Sequence, residues 1–504
     1  MQTLSPAWIR SVGLLERWLG QRVRLDSLLE EGGRNGPVPG GRAARVQGGK
    51  GAAPAEPVDS AAGGVAIAEG RDRARCQHLL FGTVRNLGRL EAELGSLVSR
   101  KPRARLQAVL LISGYELLEA GAAPAEEGKE ARIVHHAVAQ AKQLLSPAEV
   151  RLVNAVLRQL ARAPGLHGAP PSNAAGAPEL ARFYSHPEWL VQRWLAQFGS
   201  DATRQLLHWN QMPPPVYARW RGRPGGVMPQ SQSGLGGGES RVSGAPAAMS
   251  DRGAEIEPPG FLLPAPWPGF YVVPAGHWAE IERLLAEGSL YLQDPATAMA
   301  PGLLDPKGGE TVLDLCAAPG GKSLLLADLL ERQSNQAGLG AAIGRLVAID
   351  LPDPRRINRL KENLAKARTT EVVLVQADVL QLSPRLLKEH HLSSGFSAIL
   401  LDVPCSNTGV MRHRVDVKWR LRESDIAKHA GQQLALLGAA ARLLTPGGRL
   451  VYSTCSLEQE ENEGVVEAFL RSNCGRFTLE QTRSSRPWEN GCDGAGAFLL
   501  RSSP

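Results

Sequence analysis

Apolar residues recur every three or four positions through much of the first 210 residues. Cys76, Leu80, Val84, Leu87, Leu94 and Val98 follow this spacing with polar Glu91 as the exception, and Val150, Val153, Leu157 and Leu160 repeat it. With Pro6 to about Leu29 and the runs 104–119 and 131–145, they predict an all-helical bundle of roughly 130 ordered residues. A further helical piece is expected over 186–210, opening on Ser185-His-Pro. From Phe261 onward the period changes. Short apolar runs, TVLDLC (311–316), RLVAID (345–350), VVLV (372–375), SAILLD (397–402) and GRLVYST (448–454), alternate with helical stretches. That alternation predicts a parallel sheet with helices on both faces, and a ligand site at the carboxyl ends of its strands.

Composition locates the seams. Residues 32–64 hold 10 Gly, 7 Ala and 4 Pro, and residues 222–253 hold 9 Gly, 5 Ser and 3 Pro. Neither stretch offers enough apolar surface to fold, so both are expected as disordered insertions. A stiffer break, HGAPPSNAAGAP, spans 167–178. The chain of 504 residues therefore divides into several units. The boundaries expected are a helical domain over 1–165 interrupted by 32–64, a small helical linker region over 180–221, an insertion over 222–260 and an α/β domain over 261–504.

Charge follows the same division. Residues 1–250 carry 30 Lys and Arg against 20 Asp and Glu, whereas 251–504 carry 27 against 30. A basic front half suits electrostatic docking to a polyanion, or simply a solvated surface. The six cysteines form no CxxC pair, so neither a disulfide framework nor a structural zinc is expected, and a reducing cytoplasm fits. No apolar run reaches the length of a membrane span, and the first residues do not read as a signal peptide.

Each strand-like run ends in residues with chemical potential. Asp314-Leu-Cys316-Ala317-Ala318-Pro319-Gly320-Gly321-Lys322-Ser passes from a strand through a Pro-Gly-Gly turn into a helix. The glycines admit a close ligand and the helix start offers free N–H groups. The turn matches neither GxGxxG nor GxxxxGK[ST], so a dinucleotide or nucleoside triphosphate is not favoured. Asp350 closes the second run, 28 residues beyond Lys322, where a carboxylate can accept ribose hydroxyls. The glycine-rich 334–344 insertion lengthens that gap. Asp378 follows the third run and can meet an adenine amino group; either Asp can equally be a helix N-cap. Three such turns on one sheet edge point to a nucleoside-type cofactor. The fourth and fifth runs, LLDVPCSNTGV with Asp402 and Cys405, and YSTCSLEQEEN with Cys455, each set a Cys just past a strand. Two thiols without His neighbours fall short of a tetrahedral metal set, and no metal is expected.

Together, DLCAAPGGKS, LLDVPCSNTGV and YSTCSLEQEEN resemble the motifs of RNA 5-methylcytosine methyltransferases that use S-adenosyl-L-methionine. The front half, with AVLLISGYELL and VNAVLRQLARA, is similar to the NusB-type RNA-binding fold. The two-part arrangement resembles the RsmB/Sun branch, which acts on 16S ribosomal RNA. The resemblance implies a multidomain chain: an all-α NusB-like N-terminal bundle followed by a Rossmann-like α/β class I methyltransferase domain. It implies Cys455 as nucleophile, Cys405 as the cysteine that helps release product, and Asp402 as the carboxylate holding the cytosine edge. Cys316 to Lys322, Asp350, Asp378 and Asp402 take the cofactor-binding positions. Asp416-Val-Lys418-Trp419 follows the second motif as the family's Asp-Ile-Lys-Trp does. Val403 and Asn407 stand where Ala, and Gly or Ala, are common, a difference that bears on substrate geometry.

The chemistry explains these residue types. Cytosine C5 is a poor nucleophile until a thiolate adds at C6 and makes it enamine-like, which requires a lowered pKa at the attacking Cys. A neutral or proton-sharing Asp402 can assist at N3, and Cys405 can act as base or relay. The base must be unpaired or flipped to be reached. Arg412, Arg414, Lys418, Arg420 and Arg422 face one acid, Asp416, and either follow RNA phosphates or form a solvated helix start. Trp189, Trp194, Trp209 and Trp220 offer stacking surfaces, with Trp189 and Trp194 expected in the core. Two other readings remain open: the same chemistry on tRNA, and a non-catalytic RNA-binding assembly factor. Retention of both cysteines, the Gly-Gly turn and all three aspartates argues against the latter.

Overall fold

The computed structural model describes residues 5–34, 60–122, 126–222, 257–336 and 344–504. Most of the two glycine-rich stretches (35–59 and 223–256) and of the 334–344 insertion (337–343) lies outside the described residues. The ends of the first stretch, 32–34 and 60–64, are helical. The chain forms two compact units, Met1–Pro213 with Val410–Asp425, and Pro214–Gly409 with Ile426–Pro504.

The first unit is helical: α1 (Pro6–Gln21), α2 (Leu25–Arg34), α3 (Ser60–Arg85), α4 (Leu87–Leu97), α5 (Ala104–Ala122), α6 (Lys129–Ala141) and α7 (Pro147–Leu160). Helix α5 is apolar around most of its circumference. It therefore runs through the middle of the bundle, packed by α1, α3, α4, α6 and α7. Trp8, Leu15, Leu80, Val84, Leu111, Val153 and Leu157 share one core with it. Polar links tie the layers: Trp8 Nε1 and Arg75 Nη2 donate to the two oxygens of Glu116 at 2.9 and 2.7 Å. Helix α7 starts where its sequence says it should. Ser146 and Glu149 form a reciprocal capping box and Pro147 takes the first helical turn.

Helices Pro164–His167, Ala177–Phe183 and Glu188–Gln211 complete this unit. The 180–221 stretch is thus not a separate linker. Residues through Pro213 pack with the bundle, and Tyr217–Trp220 is a strand of the second unit. Its partners lie beyond the glycine-rich stretch, which is why four residues alone did not announce a strand. Trp194 is fully buried, as expected, and Trp209 lies under the Arg412 guanidinium at 4.0 Å.

The Val410–Asp425 segment overturns an expectation about charge. Lys418 is almost wholly buried and its Nζ donates to the Arg85 carbonyl at 2.9 Å. Arg412 is also buried and donates to the carbonyls of Met212 and Pro213 at 3.3 and 2.7 Å. Trp419 Nε1 donates to Val84 O at 2.8 Å, and its ring tip packs where a Cβ on Gly88 would come within 2.8 Å of it. Burial and the nearby Arg85 push the Lys418 ammonium well below its ordinary value. Lys418 and Arg412 are therefore packing cations and not phosphate contacts. Arg420 pairs with Asp416 at 2.6 Å, and Arg414 is half-buried.

The second unit holds two sheets. Strands β1 (Tyr217–Trp220), β2 (Leu263–Pro264), β3 (Phe270–Val272) and β4 (Leu290–Leu292) form a small antiparallel sheet in the order β2-β3-β1-β4. Strands β5 (Thr311–Leu315), β6 (Arg345–Asp350), β7 (Glu371–Gln376), β8 (Phe396–Asp402), β9 (Leu444–Thr454), β10 (Phe477–Ser485) and β11 (Ala495–Ser502) form the large one. Its order is β10-β11-β9-β8-β5-β6-β7, parallel from β9 to β7, with β11 and β10 antiparallel at one end. Both faces are covered. Leu313, Leu315, Val347 and Ile399 feed one core, while Val312, Leu346, Ala398 and Leu400 feed the other. The five strands read from apolar runs are all present. Strand β10 carries no apolar run, because it exposes every side chain between its ends. No helix among the described residues is long and apolar enough to cross a membrane.

The packing role of Lys418 has a direct check. Replacing it by Met removes one buried hydrogen bond and leaves the Arg85 carbonyl to Gln211 Nε2, which donates to it at 3.2 Å. Stability should fall by about 0.5–1.5 kcal/mol, seen as a lower thermal midpoint. RNA affinity and its salt dependence should stay within twofold of wild type. Weakened RNA binding at unchanged stability would restore the phosphate-contact role.

Candidate active site

Parallel strands deliver their carboxyl ends to one edge, and the strand order reverses around β5, between β6 and β8. That reversal opens a crevice beyond the strand ends. Five of the expected groups gather along this edge: the loop after β5, Asp350 at the end of β6, Asp378 after β7, Asp402 at the end of β8 and Cys455 after β9. Strands β8 and β9 pair with Asp402 opposite Ser453. The loops that follow them therefore start level with each other.

That register brings the two cysteines together. Cys405 Sγ lies 3.2 Å from Cys455 Sγ, although 50 residues separate them in sequence. Cys405 is buried and Cys455 is half-buried. Hydrogen bonding to Cys455, burial and the nearby charges of Cys455 and Glu461 push the Cys405 thiol well above its ordinary value. Asp402 is held from both sides. Lys322 Nζ donates to Oδ2 at 2.8 Å and Ser453 Oγ to Oδ1 at 2.7 Å. Burial alone would depress the Lys322 ammonium. Asp402, with further help from Cys455 and Asp314, outweighs it and raises the pKa. Lys322 thus reaches from the cofactor-type loop to the thiol side of the site.

Asn407 occupies a left-handed turn at φ 63°, a conformation Asn tolerates better than most residues. Its Nδ2 donates to the Cys405 carbonyl at 2.6 Å and its Oδ1 accepts from the Cys455 thiol at 3.4 Å. Two residues on, Gly409 N donates to the Cys455 carbonyl at 3.0 Å. A Cβ at Gly409 would sit 2.4 Å from Gly494 O and 2.8 Å from Cys455 O, so only glycine lets the two loops close.

The residues at the other side of the crevice fit a nucleoside-bearing cofactor. Gly320 has φ +102°, and a Cβ there would press on Leu360 at 2.9 Å, so the turn requires glycine. The buried carboxylate of Asp350 receives the N–H groups of Ala318 and Leu351, each at 2.8 Å. Arg356 adds Nε and Nη2 at 2.7 and 2.8 Å. Asp378 caps the turn Val379–Gln381 by accepting from Leu380 N at 2.9 Å. Cys316 and Ala317 through Gly321 form the loop itself. Cys316 sits at φ 61°, and burial pushes its thiol well up, which suits a packed residue and not a nucleophile.

Asp314 and Glu461 had no assigned role in the sequence. Asp314 is buried beneath the loop and accepts from Ser323 Oγ at 2.5 Å, and its Oδ1 has no hydrogen-bond partner among the described residues. Burial, opposed by the Ser323 bond and reinforced by Asp402, pushes its carboxyl up to about 7. Glu461 is buried behind both cysteine loops. The basic cluster, Arg412, Arg414, Lys418 and Arg420, belongs to the helical unit and supplies none of these groups.

Comparison with known proteins agrees with this architecture. The family model described as 16S rRNA methyltransferase RsmB/F matches residues 301–492, and that of the NusB family matches 59–162. Ribosomal RNA small subunit methyltransferase B of Vibrio cholerae is 32% identical over 84% of this chain and 88% of its own length. The Serratia proteamaculans protein of the same name is 31% identical over 86% and 90%. The crystal structure of PH0851 shares the fold, with a TM-score of 0.66 over 99% of both chains at 21% identity.

Asp314 makes a pH signature. Its folded pKa lies above the ordinary carboxylate value, so between about pH 4 and pH 7 the native state holds a proton that the unfolded chain has lost. This contribution to stability is full below the unfolded pKa and fades as pH rises through the folded one. Asp314→Asn should remove it. The difference in thermal midpoint between pH 5 and pH 7.5 should be smaller in the variant, and an identical pH profile would refute the assignment.

Proposed function

The chain belongs to the RsmB/F family of 16S ribosomal RNA methyltransferases, and we propose that it transfers a methyl group from S-adenosylmethionine to C5 of a cytosine in 16S rRNA through a covalent bond from Cys455 to C6. The observation that carries this reading is the pair of thiols 3.2 Å apart at the ends of neighbouring strands, beside the Asp402–Lys322 pair. A metal site or a structural thiol pair would not need a carboxylate and an ammonium poised next to it.

S-adenosylmethionine, when bound, supplies an electrophilic methyl group on its sulfonium. The turn from Cys316 to Lys322 would hold it, with Asp350 accepting its ribose hydroxyls and Asp378 its adenine amino group. The four acceptor sites of Asp350 are filled, so the ribose would exchange with the guanidinium of half-exposed Arg356.

The chain's own residues then divide the work on the base. Cys455 is the less buried partner of the pair and interacts with the Lys322 charge; a neighbouring cation is the kind of setting in which a cysteine acts as a thiolate nucleophile. The thiolate adds to C6, and N3 gains the proton presented by the Asp402–Lys322 pair. Carbon 5, now enamine-like, is thereby made nucleophilic; a bound S-adenosylmethionine would supply the methyl group and keep the electron pair of the broken S–CH3 bond as the neutral thioether S-adenosylhomocysteine. Cys405 stays protonated because its pKa is raised, which reserves the nucleophile's role for Cys455. As the C6–S bond breaks, the C5–H electron pair forms the C5–C6 double bond and expels the Cys455 sulfur. Cys405 can give its proton to that sulfur and take the one leaving C5. N3 returns its proton to the Asp402–Lys322 pair, and the Cys455 thiol loses one proton to solvent, which restores the site. The target base must stand out of its stack to reach both thiols.

Cys455→Ser should lower methyl transfer to 16S transcripts by about a thousandfold or more; full retention would sink the reading. Cys405→Ala should accumulate a covalent protein–RNA adduct that survives denaturing gels. Bisulfite sequencing of RNA from a deletion strain should show 5-methylcytosine lost from 16S rRNA, and loss from tRNA instead would overturn the substrate.

A further inference from the structure

Glu461 has no exposed surface, yet no basic side chain pairs with it among the described residues. A buried carboxylate is costly unless its lone pairs are filled. Here four donors fill them. Ser406 N and Gln433 Nε2 donate to Oε1 at 2.9 and 3.0 Å, and the hydroxyls of Ser406 and Ser456 both donate to Oε2. Those two hydroxyls are 3.0 Å apart. Ser406 directly follows Cys405, and Ser456 directly follows Cys455. The carboxylate therefore grips the residue next to each thiol, one from each loop.

The surroundings reinforce the grip. Thr408 Oγ1 receives Leu457 N at 2.9 Å, and Gln433 Nε2 also donates to the Pro404 carbonyl at 3.0 Å. Tyr452 donates its hydroxyl to the Glu461 carbonyl at 2.6 Å, and Asn462 Nδ2 donates to the Ser456 carbonyl at 3.0 Å. Every named side chain here is buried. A fully satisfied buried network is rigid, because no member can move without stranding a partner.

We propose that Glu461 is a positioning residue: its carboxylate clamps Ser406 and Ser456 and thereby fixes the distance and direction between the Cys405 and Cys455 thiols. The inference rests on the reading that both cysteines take part in the reaction. It explains why an acid is present where an apolar side chain would pack at lower cost. Only an acceptor with four lone-pair sites can hold two hydroxyls, a backbone N–H and an amide at once. Its negative charge also helps keep the Cys405 thiol protonated.

The test uses the full chain, with Glu461→Gln, Glu461→Ala, Ser406→Ala and Ser456→Ala. The first readout needs neither RNA nor cofactor: the rate at which diamide joins Cys405 to Cys455, followed by peptide mass mapping. Glu461→Ala should slow this at least tenfold, with each serine variant in between. The second is steady-state methylation. Glu461→Gln should lower kcat about tenfold while KM for the 16S transcript and for S-adenosylmethionine stays within twofold. A merely structural role would instead lower the thermal midpoint and leave the disulfide rate of the folded fraction unchanged. Wild-type disulfide rate and kcat in folded Glu461 variants overturn the proposal. Should those variants fail to fold, wild-type values in both serine variants overturn it equally. If Cys455→Ser and Cys405→Ala methylate normally, the reading of the reaction fails. A slowed disulfide rate would then still establish the clamp.

Discussion

The in-register parallel pairing of β8 with β9 is the constraint on which the site depends. Asp402 stands opposite Ser453, and Val403 N donates to the Ser453 carbonyl at 3.0 Å. Because both strands stop at the same height, two loops far apart in sequence begin side by side. A slip of one residue would turn every strand side chain to the opposite face and separate the thiols. The apolar faces of β8, covered on both sides, make such a slip expensive. Core packing thus fixes the chemistry at the edge.

At that edge, charge is managed by neighbours more than by solvent. Asp314, Asp350 and Asp402 converge near the ends of three adjacent strands, and each meets a different solution. Asp314 is pushed toward its neutral form by burial. Asp350 is matched by Arg356 and backbone donors. Asp402 shares an ion pair with Lys322. Three carboxyl groups so close together would repel strongly if all were left bare. Lys322 serves two parts of the site at once, since it leaves the cofactor-type loop and ends on the carboxylate beside the thiols.

The helical unit reaches its stability differently. It captures Val410–Asp425, whose side chains are rich in cations, by burying the alkyl stems and satisfying the charged tips with main-chain carbonyls. Trp209 and Trp419 provide flat surfaces in the same packing. A basic cluster in a sequence therefore does not by itself mark a surface that meets phosphate.

Much of this molecule was legible in order of residues alone. Period-3.6 and short apolar runs located the bundle and the five parallel strands, since burial on one or both faces imposes those patterns locally. The loops after the strands were legible too, because a Gly-Gly turn, an Asp at a strand end and a Cys after a strand are each local features. Three things were decided only by tertiary structure. Strand β1 and the antiparallel pair depend on partners distant in sequence. The burial of Arg412 and Lys418 depends on carbonyls more than a hundred residues away, which no local charge count contains. The meeting of Cys405, Cys455 and Glu461 depends on strand register and on hydroxyls that read as ordinary loop serines. Sequence determined which chemical groups stand at each strand end; the sheet decided which of them touch.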